Sequence, residues 1–250
     1  FRFKERVIAC FALDTTEAYM TTKLNDTKTF FLPFNKGYKG GKGNPIEEGK
    51  LSTHYVWEDL LSRESLLEVL DKFVYLKLDE EEDDDGNIIT KETLIFPRYH
   101  QRDAVKKVLN HAKTFGAGQS YLIQHSAGSG KTNSISWLAH RLATLHNDQN
   151  ESVFDGAIVV TDRKVLDKQL QKAVYQLEHK AGMVEKIEED SSQLADALNK
   201  GTKIIITTIQ KFPYILDKLG TLNKHYAIII DEAHSSTSGK NMAALTTSLT

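Results

Sequence analysis

Cysteine and proline are scarce: the 250 residues hold one cysteine, Cys10, and four prolines. A lone thiol excludes a disulfide framework and supplies no cysteine cluster for zinc. An apolar core has to hold the fold instead, and an apolar content of 40% is enough for one large domain or two small ones. Cys10 itself reads as a small buried hydrophobe in a strand over residues 7–13. No run of 18 apolar residues and no signal-peptide pattern occurs, which makes a cytoplasmic location without a membrane span the expectation. A large net charge is also lacking, and this misleads. The formal value is −2, yet residues 79–85 are seven consecutive carboxylates; setting them aside leaves 27 of the 34 acidic residues against 32 basic ones, a formal +5. The bulk of the chain is mildly basic and compatible with a nucleic-acid partner. The acidic run, followed by Gly86-Asn87, reads as a solvated hairpin tip or linker.

What is present is a phosphate cradle. Residues 125–132 read HSAGSGKT, between an apolar run at 120–124 (SYLIQ) that reads as a buried strand and a helix in which Ile135, Leu138, Leu142 and Leu145 recur three and four apart. Gly128 and Gly130, either side of Ser129, let the backbone turn its N–H groups inward. Lys131 supplies a point charge for the β- and γ-phosphates, and Thr132 offers a hydroxyl to Mg²⁺. The pattern departs from G-x-x-x-x-G-K-[ST] at its first position, where His125 stands for glycine. A phosphate at the start of the helix meets exposed N–H groups and the positive end of the dipole.

Such a cradle implies a second element to hold the metal. YAIII at 226–230 reads as a strand buried on both faces, and Asp231-Glu232-Ala233-His234 follows it. At a strand end Asp231 can hold magnesium through water, while Glu232 beside it can orient or deprotonate the attacking water.

Residues 1–78 read as strands over 7–13, 17–23 and 29–32, a Gly/Lys-rich loop over 35–44 whose GYKGGKGNP run at 37–45 could touch DNA or nucleotide but reads first as a flexible surface loop, and a helix whose Leu66, Leu70, Phe73 and Val74 share a face. From Phe96 the pattern becomes helix, strand, cradle, helix, strand, helix, strand. Apolar runs at 157–160 and 204–206 alternate with helical spacing at Leu166, Leu170, Ala173, Val174 and Leu177, which argues for a doubly wound parallel sheet.

Taken in order, HSAGSGKT, TDRKVLD at 161–167, TTIQK at 207–211 and DEAH at 231–234 resemble motifs I, Ia, Ib and II of the superfamily 2 helicase-like translocases. FPRYHQ at 96–101 and the opening His125 extend the resemblance to the restriction (motor) subunit of type I restriction-modification enzymes. TTKLNDTKTFFLPFNKG and YVWEDLLSRESLLEVLDKF resemble the end of that subunit's nuclease domain and its bridge to the motor. The resemblance implies an α/β architecture: the C-terminal part of a restriction-endonuclease-like domain over 1–78, an acidic linker or hairpin over 79–95, and a RecA-like P-loop motor lobe over 96–250. It also implies Mg²⁺-dependent ATP hydrolysis that moves double-stranded DNA before cleavage, with methylation and specificity subunits as partners.

By residue, the resemblance gives Gln101, with Arg98 beside it, the reading of adenine. It gives Thr161, Arg163, Thr208 and Lys211 contacts to the DNA backbone, which provide grip without sequence information. It gives His234 the coupling of the nucleotide site to those contacts. On residue chemistry alone Arg98 and Gln101 are polar residues near a helix start, and Arg163 and Lys211 fit a solvent-facing helical turn. The resemblance further requires a second lobe with an arginine finger and an upstream acidic pair with lysine, and residues 1–78 offer no convincing D…E-x-K on a strand. A finger is worth about 10³ to 10⁵ in rate, so this stretch alone is expected to be near-inactive, as a piece of a larger subunit. Two other readings are another superfamily 2 ATPase, such as a type III restriction subunit or repair helicase, and a non-catalytic nucleotide-gated binding module. Glu232 argues for hydrolysis over the latter, since a pure binding site needs no water-activating carboxylate.

Overall fold

The computed structural model describes residues 7–82, 86–126, 128–161, 168–178, 182–188, 190–215 and 224–233. The chain forms two compact units, Phe1–Asp103 and Ala104–Thr250.

In the first unit, β1 (Cys10–Leu13), β2 (Ala18–Thr21) and the short β3 (Leu32–Pro33) form an antiparallel sheet in that order. A π-helical turn (Val56–Leu60) and helix α1 (Arg63–Lys72) follow, and then β4 (Tyr75–Glu82) and β5 (Ile88–Ile95) pair as a long antiparallel hairpin. The core is aromatic: Phe34, Tyr55 and Phe96 pack with Met20, Leu60 and Val69, and Phe11 and Tyr99 meet Phe34 edge-on at 5.2 and 6.1 Å. Helix α2 (Tyr99–Phe115) begins here. Its Arg102, 3% exposed, forks onto both Asp59 carboxylate oxygens at 3.1 and 3.3 Å and donates to Ser65 Oγ at 2.8 Å, which fixes the start of α2 against the π-helical turn.

The second unit is a parallel α/β layer structure. Helix α3 (Lys131–Ala143), β6 (Gly156–Thr161), α4 (Lys168–Gln176), β7 (Val184–Lys186), α5 (Ser191–Lys200), β8 (Ile204–Thr208), a 3₁₀ turn (Ile209–Tyr214) and β9 (Tyr226–Ile230) follow in order. The sheet order is β7-β8-β6-β9, parallel throughout. Ile158, Val160 and Ile205 pack against α5 and the 3₁₀ turn, while α3 lies against β6, β8 and β9, so the sheet is covered on both faces. This burial explains why β6 and β8 are continuous apolar runs rather than alternating ones.

Several expectations need correction. No strand forms at 120–124: that segment carries no ladder and Leu122 is 87% exposed. An apolar run supplies the propensity for a strand, but only a partner edge makes the ladder. The first strands are shorter than 7–13, 17–23 and 29–32, because Thr29 closes a 3₁₀ turn through its N–H and hydroxyl to Asp26 O at 3.2 and 2.9 Å. Cys10 is only half-buried, because among the described residues β1 has a neighbouring strand on one side only. On α1 it is Val69, with the following Phe73, that enters the core, and Leu70 faces out. Of the acidic run, residues 79–82 belong to β4, paired with Lys91 and its neighbours, so the hairpin is the form adopted; residues 83–85 lie outside the described residues. β9 forms as read, but Ile228 is 38% exposed, because among the described residues β9 is bordered only by β6.

Gly156 opens β6 where the chain passes closest to its neighbours: a Cβ there would lie 2.7 Å from Lys203 O and 2.9 Å from Tyr226 Cε1. Gly156→Ala is therefore expected to destabilise the protein by about 1–3 kcal/mol, read as a lower urea midpoint with an unchanged slope.

Candidate active site

Three elements of the second unit converge at the carboxyl ends of its strands, where open α/β sheets hold ligands. The first is the turn into α3. Gly128 and Gly130 have φ of +72° and +83°, and Gly130 caps the helix in the left-handed region. Nothing lies within 4 Å of a Cβ built on Gly128, so backbone conformation rather than space requires glycine there. Ser129 is buried, with its N–H donating to Ser126 O at 3.2 Å, and α3 starts at Lys131 with Thr132 behind it. Ala127 lies outside the described residues. The first N–H groups of any helix lack carbonyl partners in the helix itself, so this end suits an anion.

The second and third elements are β6 and β9. Ile230 pairs with Val160, and the ladder runs one residue further through the Asp231 N–H to Val160 O at 2.9 Å. That bond sets Asp231 at the strand end. Glu232 then turns into the left-handed region at φ +53°, with its N–H on Asp231 Oδ1 at 3.0 Å. Outside glycine such a conformation costs about 1–2 kcal/mol, and here it swings the second carboxylate back over the turn.

Lys131 closes the site. Its ammonium lies 3.1 Å from Asp231 Oδ1 and donates to Glu232 Oε1. Burial acts to lower the Lys131 pKa, but the bonds to Glu232 and Asp231 outweigh it and raise the value above that of an ordinary lysine. The cradle cation and both DEAH carboxylates, far apart in sequence, thus form one cluster. Sequence reasoning named all three residues but not their direct pairing. The oxygen donors Thr132 and Asp231 match the hard-ligand preference of Mg²⁺.

The other candidate residues are placed differently. Thr161 and Thr208, paired across β6 and β8, are 2% and 4% exposed, so their hydroxyls face the interior. Among the described residues Thr161 Oγ1 and the neighbouring Thr207 Oγ1 find no hydrogen-bond partner, at a cost of about 1–3 kcal/mol each. Thr207 was not singled out from sequence; its position at the end of an apolar strand is the signal. Lys211 donates to Ile187 O at 2.9 Å. Arg98 and Gln101 belong to the first unit, where Gln101 Oε1 accepts the Arg98 N–H at 2.8 Å in the manner of a helix capping box. Gln101 is 2% exposed, and burial lowers the pKa of Arg98. Arg163 and His234 lie outside the described residues.

The family described as SWI2/SNF2 ATPase matches residues 100–250. The chain is 25% identical over 229 residues to a putative type I restriction enzyme MjaVIIIP endonuclease subunit of Methanocaldococcus jannaschii, covering 79% of this chain and 21% of that protein. It is 30% identical over 186 residues to the type I restriction enzyme HindI endonuclease subunit of Haemophilus influenzae, covering 72% of this chain and 17% of that one. The C-terminal part of a putative type I restriction enzyme MpnIIP endonuclease subunit from Mycoplasma pneumoniae is 31% identical over 145 residues, 52% of this chain and 64% of its own length. The chain thus spans about a fifth of the length of the first two relatives. No helix among the described residues is long and apolar enough to cross a membrane.

The raised pKa of Lys131 leaves less free amine at any given pH, and its stabilising pairing is complete below the ordinary lysine pKa and lost as pH rises through the elevated value. With no nucleotide bound, Lys131 is expected to react with an amine-acylating reagent more slowly than the exposed Lys39, and Glu232→Gln to speed its acylation several-fold, as followed by peptide mass spectrometry.

Proposed function

Because the chain belongs to the SWI2/SNF2 ATPase family, we propose that it is the ATP-hydrolysing motor part of a type I restriction endonuclease subunit, which moves duplex DNA past the enzyme before cleavage. The observation that carries this reading is the single cluster of Lys131, Asp231 and Glu232 at the carboxyl ends of β6 and β9. Residues 96–250 then correspond to a RecA-like lobe, residues 79–95 to an acidic linker or hairpin, and residues 1–78 to the end of a nuclease domain. Similarity to type I restriction endonuclease subunits over most of the chain supports the assignment. Methylation and specificity subunits are the partners it entails.

In this reading the β- and γ-phosphates take the Lys131 ammonium from the carboxylates. Glu232, freed from its cation, accepts a proton from the attacking water, while Gly128, Ser129 and Gly130 present the backbone to the phosphates. Thr132 and Asp231 would hold Mg²⁺, which supplies charge neutralisation on the phosphates. Arg98 and Gln101 recognise adenine, a role that requires the buried Gln101 to become accessible. Thr161, Arg163, Thr208 and Lys211 grip the DNA backbone, for which the closed ends of β6 and β8 have to open, and His234 links that opening to the nucleotide.

The test is ATP turnover by the full-length protein assembled with its partner subunits, with and without unmodified duplex DNA. DNA is expected to stimulate turnover, Lys131→Ala to abolish it, and Glu232→Gln to keep nucleotide binding while lowering turnover by about 10² to 10⁴. Unchanged DNA-stimulated turnover in Glu232→Gln would overturn the mechanism, and tight ATP binding with no stimulation would favour a nucleotide-gated module.

A further inference from the structure

Residues 35–45, NKGYKGGKGNP, carry three lysines and no carboxylate in a chain of net charge −2. Read from sequence they are a flexible surface loop; in the structure they are a built hairpin. The Gly37 N–H donates to Gly43 O at 2.9 Å, and Tyr38 and Gly41 exchange both backbone bonds at 3.1 and 2.8 Å. Lys39 and Gly40 fill the two central positions with φ of +48° and +77°, the positive pair that a type I′ turn demands.

The stem is fixed by two side-chain amides, the buried Asn44 and the half-buried Asn35. Asn44 accepts the Lys36 N–H at 2.8 Å and donates to Thr16 O and Asn35 Oδ1, both at 2.8 Å, while Asn35 Oδ1 also accepts the Ala18 N–H at 2.7 Å. The stem is therefore anchored at the start of β2. At the tip Lys39 and Lys42 are exposed, and among the described residues neither forms an ion pair. Tyr38 is exposed beside them, with Lys39 Nζ 5.1 Å from its ring centroid. A Cβ built on Gly40 or Gly43 meets nothing within 4 Å, so the backbone there is bare.

Lys39 is the informative residue. Glycine or asparagine occupies a left-handed turn position freely, whereas lysine is strained there. The turn would form more readily without it, so the charge and not the conformation accounts for lysine at this position. We propose that this hairpin tip is a contact to the sugar–phosphate backbone of duplex DNA, in which Lys39 and Lys42 each neutralise a phosphate and Tyr38 packs against the sugar edge. The contact is independent of base sequence and is steadied by the amide stem. It rests on the reading that the protein engages duplex DNA.

The test measures the affinity of the full-length protein for duplex DNA across a salt series, with Lys39→Asn, Lys42→Asn and Lys39→Arg, and with Lys72→Asn as a surface-charge control. Each asparagine variant is expected to bind several-fold more weakly at low salt and to reduce the slope of log K against log salt by about 0.9, the release of one counterion. Lys39→Arg should restore the slope, and Lys39→Asn should melt at an equal or higher temperature, which separates loss of charge from loss of fold. Unchanged slopes in both asparagine variants, an equal change in Lys72→Asn, or tip-dependent binding to anionic lipid vesicles in place of DNA would overturn the proposal while leaving DNA engagement standing. Absence of salt-dependent DNA binding by the unsubstituted protein would overturn both.

Discussion

The parallel ladder between β6 and β9 is the constraint on which the candidate site depends. Parallel strands in register end together, so their loops are delivered to one edge, and the Asp231 N–H bonded to Val160 O is the last rung. Everything chemical is arranged from that rung: Asp231 stops at the edge, Glu232 folds back, and α3, packed on the same strands, presents Lys131 to both. The left-handed Glu232 is tolerated because its own N–H is held by Asp231 and its carboxylate by Lys131. Buried aliphatic strands fix the frame, and one ion cluster gathers the cradle lysine and both carboxylates at its edge.

The first unit is organised by different means. Its antiparallel sheet is small, and aromatic edge-to-face contacts around Phe34 and Tyr99 do much of the filling. Polar groups then set its exact shape: the Arg102–Asp59 fork pins the start of α2, and the Asn35–Asn44 pair pins the lysine hairpin. Both arrangements give buried polar atoms partners that offset their desolvation, although Arg102 Nε finds none among the described residues.

Legibility in the sequence followed the range of the interactions. Where a motif encodes its own conformation, as at Gly128, Gly130 and Lys131, or where a strand is apolar throughout, as at β6 and β8, the residues alone were sufficient. Helix α5 was missed although its signals are local, with Asp190 accepting the Ser192 and Gln193 N–H groups at one end and Gly201 at the other. Three-residue β7 is too short for periodicity to register. The remaining discrepancies depend on partners distant in sequence. The ladder missing at 120–124, the exposure of Ile228, the inward-facing Thr161 and Thr208, and the capping bond of Gln101 each reflect what a neighbour does or does not cover. The type I′ turn was hidden because lysine is a poor advertisement for positive φ.

Among the described residues one edge of β9 has no neighbouring strand, and this bears on the handling of the molecule. Beyond β6 no described strand borders it, and the apolar residues 121–123 join no ladder among the described residues of the same unit. An open edge and an unladdered apolar segment are the two halves of a β-addition, and two copies can supply them to each other as readily as one. Solubility is then governed by protein concentration, and crowding during overexpression favours runaway association between chains.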